Sequence, residues 1–378
     1  MSEETLLLSS DYPPKDGGVA RLCQEIVLAE RHRGWQVRVI APLRNLQAAN
    51  ASADRIDLPV SARRLRMEAG MFTHMRALRG KGPAICALWY PDGLIAVAAG
   101  VRPLVVLAHG SELMPVASPL RAPIWLALRR KVLRAADLVI ANSRYTRDLV
   151  LRDGPGIEVV DIPLGVDHER FVPGDREAAR RKWKVEGKFV VASVSRICAY
   201  KGHDVVLQAM ARLPETVRQK MVYLVAGKGP HLAALQREAE RLGVAGHTRW
   251  LGFVAESDLP DLYNAADLFA LCTRETVDQR EVEGFGLVFL EAQACGTPVV
   301  GTRTGGIPDA IEVGKGGWLI EQDDATALSE LLRSLAADPV CLQAARLAAR
   351  ERVEAGCTWN HYMERFRATL VKKGIYAG

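Results

Sequence analysis

The strongest constraint on this chain is a repeated order of segments: a short apolar run, a glycine-bearing turn, an amphipathic stretch, then another apolar run. Thr5-Leu-Leu-Leu-Ser9 begins it, and Asp11-Tyr-Pro-Pro-Lys-Asp-Gly-Gly18 follows as a turn-rich loop. Val19, Leu22, Cys23, Ile26, Val27 and Glu30 then recur at helical spacing, and the helix runs to Arg33. Gly34 ends it, and Gln36-Val-Arg-Val-Ile40 is the next strand. Strand, glycine loop, helix, strand is a βαβ unit of a doubly wound sheet, so the fold class is α/β.

The same rhythm continues. Ala84–Leu88 and Leu104–Ala108 read as buried strands, Ile124–Leu133 and Tyr145–Leu151 as helices, and Ser143 is placed to cap the second of these helices. Val159–Asp167 closes a first domain and His168–Gly174 reads as a linker. Phe189–Ser195, Val222–Ala226 and Arg249–Val254 then read as strands, Asp204–Arg212 as a helix, and Trp359–Lys373 as a basic terminal helix. Residues 44–60 read as irregular. A chain of 378 residues suits two domains. The boundaries expected are 1–168 for the first and 169–358 for the second, with 359–378 packing back on the first.

Composition narrows the function classes. Apolar residues make up 49% and charged residues 25%, as in globular proteins. No apolar run reaches the ~20 residues needed to span a bilayer. The acidic start, Met1-Ser-Glu-Glu-Thr5, is unlike a signal peptide. Seven scattered cysteines without a C-x-x-C pair suggest reduced thiols and a cytoplasmic protein, with no zinc site. The net charge is +6, and residues 1–168, with 22 basic and 17 acidic side chains, hold +5 of it. A mildly basic half could face anionic lipid or nucleic acid, or carry no meaning for partners.

Chemistry concentrates at a few loops. In Glu283-Gly-Phe-Gly-Leu-Val-Phe-Leu-Glu291, seven residues separate two glutamates. Glycines Gly284 and Gly286 let a bulky group approach the backbone, and the amides of Phe285, Gly286 and Leu287 would emerge at a helix N-terminus, which favours anions. A diphosphate there would have a carboxylate on each side, each able to accept hydrogen bonds from sugar hydroxyls. The plainer alternative is a pair of glutamates that cap or solvate a helix. Arg196-Ile-Cys-Ala-Tyr-Lys-Gly202 follows a strand and sets a guanidinium and an ammonium five residues apart, which suits phosphate oxygens. Gly17 and Gly18 open the first helix, as a phosphate-approaching loop or as a plain turn. His109-Gly-Ser-Glu112 stands at a strand's C-terminal end, where α/β sheets bind ligands, though a lone strand-end histidine is also commonly structural.

Taken in order, these motifs resemble glycosyltransferase family 4, retaining enzymes that use nucleotide diphosphate sugars. The chain looks most like bacterial phosphatidylinositol mannosyltransferases. Those have a similar Asp-x-Glu-Gly-x-Gly-x-x-x-Leu-Glu-Ala-x-Ala-x-Gly run followed by Gly-Gly-x-Pro-Glu. Here Glu281 stands in the place of the Asp, and the second run reads Gly305-Gly306-Ile307-Pro308-Asp309. The resemblance covers nearly the whole chain. It implies the GT-B architecture, two facing Rossmann-like doubly wound domains with a cleft and a C-terminal crossover helix.

What the resemblance implies about the site follows residue by residue. Arg196 and Lys201 hold the departing diphosphate, with help from the amides of Phe285 to Leu287, and no metal or other cofactor is needed. Glu283 holds the hexose hydroxyls and Glu291 the ribose. Gly305, Gly306 and Ile307 lie near sugar and phosphate, and Gly17 and Gly18 reach towards the donor's phosphates. His109 lies by the reacting sugar and helps position the donor. The expected donor is GDP-mannose and the expected acceptor a lipid-linked or glycolipid molecule at the inner face of the cytoplasmic membrane. UDP-glucose or UDP-N-acetylglucosamine with a polysaccharide or soluble acceptor is the alternative.

Residues 63–81 interleave six basic side chains and one acid with Leu65, Met67, Met71, Phe72, Met75 and Leu78. The segment suits peripheral contact with an anionic membrane, or an ordinary surface helix. A nucleotide-dependent oxidoreductase would want G-x-G-x-x-G after the first strand, and Asp16-Gly-Gly-Val-Ala-Arg-Leu22 lacks it. A basic RNA- or membrane-binding module would bind without turnover, through a surface independent of the cleft; no nucleic-acid partner is expected.

Overall fold

The computed structural model describes all residues except 1–3, 14–16, 44–54, 60–63, 116, 117, 119, 277–280 and 378. The chain divides into two compact units, Met1–Leu164 with Trp359–Gly378, and Gly165–Thr358. The reading of Asp16 in the first loop and of Arg63 in the basic segment lies outside the described residues.

Unit 1 runs β1 (Glu4–Leu8), α1 (Gly18–His32), β2 (Gln36–Leu43), β3 (Arg55–Pro59), α2 (Arg64–Ala77), β4 (Ala84–Cys86), α3 (Leu94–Ala99) and β5 (Leu104–Ala108). It continues with α4 (Ala122–Ala135), β6 (Leu138–Ala141), α5 (Arg144–Arg152) and β7 (Val159–Asp161). The strands form one sheet in the order β3-β2-β1-β4-β5-β6-β7, and each pairing is parallel. Leu6, Leu7 and Leu8 of β1 are fully buried, as are Val105 and Val106 of β5. Helices cover both faces of such a sheet, which is why its strands read as continuous apolar runs rather than alternating ones. Ser143 caps α5 as expected, its side chain accepting from the Thr146 amide at 3.1 Å.

One strand escaped the sequence reading. Arg55–Pro59 falls in the stretch read as irregular, yet it pairs in parallel with β2 from Val39↔Arg55 to Leu43↔Pro59. It is the edge of the sheet. Edge strands tolerate charge and proline because one side of their backbone needs no partner, so Arg-Ile-Asp-Leu-Pro lacks the apolar run that marks an interior strand.

The strand order of unit 1 reverses between β1 and β4. There the backbone amide of Ser10, just beyond β1, donates to Asp92 Oδ1 at 3.0 Å, just beyond β4. Asp92 is fully buried, and its Oδ2 has no hydrogen-bond partner among the described residues. Burial, reinforced by nearby Asp11 and opposed by the Ser10 contacts, pushes its pKa up to about 8.

Unit 2 runs α6 (Arg176–Trp183), β8 (Phe189–Val194), α7 (His203–Ala211), α8 (Glu215–Arg218), β9 (Met221–Ala226), α9 (Leu232–Arg241), β10 (Thr248–Gly252) and α10 (Leu259–Ala265). After these come β11 (Leu268–Leu271), α11 (Leu287–Ala294), β12 (Val299–Thr302), α12 (Ile307–Ala310), β13 (Gly317–Ile320), α13 (Ala325–Ala337) and α14 (Pro339–Gly356). Its sheet has the order β10-β9-β8-β11-β12-β13, again parallel at each pairing. The order reverses between β8 and β11. The final helix, α15 (Trp359–Lys372), belongs to unit 1. It buries Tyr362, Met363, Phe366 and Leu370, and Arg367 Nη1 donates to the Glu30 carboxylate of α1 at 2.5 Å. Among the described residues no helix is long and apolar enough to cross a membrane.

Asp92 yields a pH prediction. A folded-state pKa near 8 against about 4 unfolded means that the folded chain holds the extra proton in between, so Asp92 makes stability fall as pH rises, by about 1.4 kcal/mol per unit. Asp92→Asn copies the neutral acid and removes this slope. The thermal midpoint of the variant should therefore rise relative to wild type from pH 5 to about 8, measured by scanning calorimetry. Parallel pH profiles would refute the assignment of a buried neutral acid.

Candidate active site

Ligands of open α/β sheets bind beyond the carboxyl ends of the strands where the order reverses. In unit 2 those strands are β8 and β11. The loop after β8 carries Arg196 and Lys201, and the segment after β11 carries Glu283. Lys201 Nζ donates to Glu283 Oε2 at 2.5 Å and lies 5.0 Å from the centroid of the Tyr200 ring. The Lys201 residue is only 9% exposed. Burial pulls its pKa down, but Glu283 and then Tyr200 outweigh burial and hold it above the ordinary lysine value. The ammonium is therefore charged at neutral pH.

Arg196 is exposed and donates from Nη2 to the Tyr200 hydroxyl at 3.4 Å. It makes no ion pair among the described residues. Tyr200 nearby, opposed by partial burial, keeps its pKa above the usual guanidinium value. Its remaining donors are thus available to a phosphate.

Two glycines bring the strand ends this close. At Gly202, which follows Lys201 and has φ +69°, a Cβ would lie 1.8 Å from the carbonyl oxygen of Cys272 at the exit of β11. At Gly305, with φ +53°, a Cβ would lie 2.4 Å from the carbonyl oxygen of Glu283. That oxygen accepts the Gly306 amide at 2.8 Å. The Gly305-Gly306 turn therefore seats the Glu283 backbone, while Lys201 holds its carboxylate.

α11 starts one residue after Gly286, and the amides of Phe285, Gly286 and Leu287 have no acceptor among the described residues. Helix N-terminal amides attract anions. Glu291 lies just over one turn into α11, is buried, and accepts from the Tyr263 hydroxyl at 2.8 Å. Ile307, the first residue of α12, is fully buried. The structure thus gathers Lys201, Glu283, Gly305 and Gly306 into one contact set, with Arg196 joined to it through Tyr200. Glu291 is fixed by the Tyr263 hydroxyl.

The other expected site residues belong to unit 1. Gly17 and Gly18 are exposed at the start of α1, and a Cβ on Gly17 would meet nothing within 4 Å. His109 follows β5 and is half-buried. Its Nε2 sits 2.8 Å from the Ala87 carbonyl, so Nε2 donates there. The backbone amide of His109 donates to Glu112 Oε1 at 2.6 Å, and Asn142 Nδ2 donates to its carbonyl at 3.2 Å. No group of three or more His, Cys, Asp or Glu side chains suited to a metal occurs among the described residues.

Comparison with known proteins gives the family. Residues 175–353 match Glycosyl transferases group 1, and residues 16–170 match Glycosyltransferase Family 4. The chain is 32% identical to the GDP-mannose-dependent alpha-(1-6)-phosphatidylinositol monomannoside mannosyltransferase of Mycolicibacterium smegmatis, over 91% of this chain and 92% of that one. The chain belongs to glycosyltransferase family 4. A relative from Corynebacterium glutamicum, the GDP-mannose-dependent monoacylated alpha-(1-6)-phosphatidylinositol monomannoside mannosyltransferase, is 30% identical over 98% of both chains. In fold, this family 4 transferase matches Anabaena HepE solved in complex with UDP, with a TM-score of 0.78 and 21% identity over 98% of this chain and 100% of that one. WaaG, a glycosyltransferase involved in lipopolysaccharide biosynthesis, matches with a TM-score of 0.73 and 20% identity over 99% and 100%. The fold is GT-B, built from two Rossmann-like units.

The transferase also has supports that the sequence reading missed. Arg274 donates to Asp204 at 2.6 and 2.9 Å, to Asp323 at 2.5 Å and to the Ala199 carbonyl at 3.0 Å. It clamps the Arg196–Lys201 loop to the exit of β11. Beneath that loop His203, 1% exposed, joins the Ser195 hydroxyl (2.9 Å) to the Tyr223 hydroxyl (2.8 Å). Burial, and then nearby Lys201, push its pKa down to about 4, so it serves as a neutral strut. Their partners are 70, 49 and 20 residues away in sequence for Arg274–Asp204, Arg274–Asp323 and His203–Tyr223. No local pattern announces such pairs.

Gly305→Ala tests the seat of Glu283. The added Cβ must push the Glu283 carbonyl away and break the Gly306 bond, at about 1–3 kcal/mol of stability. We expect a folded protein whose kcat/KM for the nucleotide sugar falls at least about tenfold, equivalent to ~1.4 kcal/mol. Unchanged kcat/KM with a lowered thermal midpoint would mean that the turn is only structural.

Proposed function

We propose that this family 4 transferase moves a mannosyl group from GDP-mannose to a phosphatidylinositol-type glycolipid, with retention at the anomeric carbon. The observation that carries the reading is the Lys201–Glu283 pair at the strand reversal of unit 2, a buried cation and a carboxylate at 2.5 Å. The cation suits a diphosphate and the carboxylate suits sugar hydroxyls. The choice of mannose and glycolipid rests on kinship with the enzymes of M. smegmatis and C. glutamicum, whose names specify GDP-mannose and phosphatidylinositol monomannosides.

In this reading unit 2 takes the nucleotide sugar and unit 1 the acceptor. As the glycosidic bond breaks, negative charge grows on the leaving diphosphate. Arg196, Lys201 and the amides of Phe285, Gly286 and Leu287 stabilise it electrostatically. These groups supply the positive charge that chemistry requires, so the reaction needs no metal. The acceptor hydroxyl attacks from the face the diphosphate left, and a phosphate oxygen takes its proton. Glu283 orients the hexose, Gly305, Gly306 and Ile307 line its neighbourhood, and Glu291 accepts from the ribose. Gly17 and Gly18 approach the phosphates, and His109 positions the donor. The enzyme works at the inner face of the cytoplasmic membrane. The exposed basic edge of α2 with its flank, Arg76, Arg79 and Lys81, supports contact with anionic lipid there, while Met71, Met75 and Leu78 of the same segment are buried in unit 1.

The test is nucleotide release from a panel of nucleotide sugars without acceptor, alongside thermal-shift titration with GDP and UDP. Release from GDP-mannose with a GDP-selective shift is expected; a UDP-selective result would overturn the donor, and no shift with either would overturn the site. Arg196→Ala and Lys201→Ala should each lower kcat about 100-fold or more while the protein stays folded, since removing a single charge-stabilising donor costs about 2.7–4 kcal/mol. Wild-type turnover in either would remove that residue from the mechanism. Glu291→Ala should chiefly raise KM for the nucleotide sugar, and EDTA should leave the rate unchanged.

A further inference from the structure

The amino edge of the unit 2 sheet carries a second charged cluster. Asp267 immediately precedes β11, and its Oδ2 accepts the Val190 amide of β8 at 2.7 Å. Arg176 and Arg180, one turn apart on α6, donate to Asp267 Oδ1 and Oδ2 respectively. Asp267 is buried, and both of its oxygens are thus engaged. Arg346 of α14 reaches the same place. Its Nη1 and the Nη1 of Arg176 each donate to the Ala266 carbonyl at 2.9 Å. One carbonyl oxygen therefore holds two guanidiniums side by side.

The cluster is short of negative charge. Asp267 pairs with Arg176 and Arg180, and Arg346 makes no ion pair among the described residues. The bond to Ala266 uses only one of its N–H donors. Arg350, one turn further along α14, shows the contrast. It donates to the carbonyls of His168, Phe171 and Ala294 and pairs with Glu354 at 2.7 Å. Burial, and then nearby Arg176, push the Arg346 pKa down to about 10 against the pull of Asp267. Burial lowers that of Arg176 as well, although Asp267 opposes it. Both stay charged at neutral pH. Both residues are half-buried, so solvent still reaches them. Like charges held together in such a place repel unless an anion joins them.

Geometry and charge select the ligand. Planar guanidinium forks match the oxygens of a phosphoryl group. Three guanidiniums against one carboxylate leave an excess of two positive charges. A phosphoryl group carries about −1.5 to −2 at pH 7, which balances them. We propose that Arg176 and Arg346, backed by Arg180, form a binding site for a phosphoryl group, free or as a monoester, where α6, α14 and the start of β11 meet. The site is separate from the Lys201–Glu283 pair. That pair lies beyond the carboxyl ends of the same strands, about 15–20 Å away by strand length. A phosphate bound between Arg176 and Arg346 clamps α14 to α6. The site does not rest on the transferase reading.

The test uses the full chain and inorganic phosphate, with chloride at equal ionic strength as the control. Arg196 and Lys201 also suit phosphate, so the comparison is made on an Arg196→Ala background. Phosphate should raise the thermal midpoint of that protein above its value in chloride. Adding Arg346→Gln should abolish most of the rise and raise the Kd for phosphate at least about tenfold by titration calorimetry, or ~1.4 kcal/mol. A phosphate effect that chloride reproduces would mean general screening and would overturn the proposal. So would an Arg346→Gln midpoint lowered equally in both salts with an unchanged Kd, which would make Arg346 only structural. In crystals soaked with selenate, the anomalous signal should lie between Arg176 and Arg346. Signal only at Arg196 and Lys201, or none, would also overturn the site. Glycerol 3-phosphate separates the two sources. Tighter binding than that of inorganic phosphate assigns the site to a phosphomonoester, and weaker binding assigns it to the free ion.

Discussion

The ion pair between Lys201 and Glu283 depends on, and reports, the whole construction of unit 2. Burying an ammonium is unfavourable unless a carboxylate accompanies it, and removing one member of such a pair costs about 3–5 kcal/mol. The pair exists because two parallel strands, β8 and β11, lie side by side although 73 residues separate the end of β8 from the start of β11. Gly202 lets the first loop touch the exit of β11, and the Gly305-Gly306 turn fixes Glu283 from the opposite side. Arg274 and His203 then hold the loop from beside and below. A charged site in a half-buried place needs this surrounding shell, because a loose ammonium would turn to water rather than wait for a phosphate.

Unit 1 uses the same topology with different chemistry. Its strand reversal is bridged by the Ser10 amide and Asp92, a buried acid kept neutral by its surroundings. The corresponding place in unit 2 holds a fixed charge pair. The strand reversal of unit 1 thus holds a buried neutral acid, and that of unit 2 a cation and a carboxylate. The basic character of residues 1–168 lies in part along the exposed side of α4, at Lys131 and Arg134.

Much of the fold was legible because parallel strands buried on both sides announce themselves as apolar runs, and because glycines and prolines punctuate them. The α1, α5, α7 and α15 helices begin and end within one residue of the sequence reading. β3 was not legible, since an edge strand can be as polar as a loop. Of the candidate site, Arg196, Lys201, Glu283, Gly305 and Gly306 could be named from spacing and resemblance, and they do lie together or are joined through Tyr200. Arg274, His203 and Asp92 could not be named. Their significance comes from partners distant in sequence and from burial, and neither has a local signature.

The sequence alone therefore determined the class of fold, the places where strands hand over to glycine loops, and the family. Each of these depends on local pattern: hydrophobic run length, helical spacing, and residues that relax or stop the backbone. The tertiary structure decided which of the charged residues meet, which acid is neutral, and which basic helix is covered. The apolar residues of 63–81 suited a membrane by their spacing, yet Met71, Met75 and Leu78 are buried, whereas Leu120 and Ile124, which carried no such reading, stand exposed. Composition cannot separate those cases, because exposure is a property of what packs against a segment and not of the segment itself.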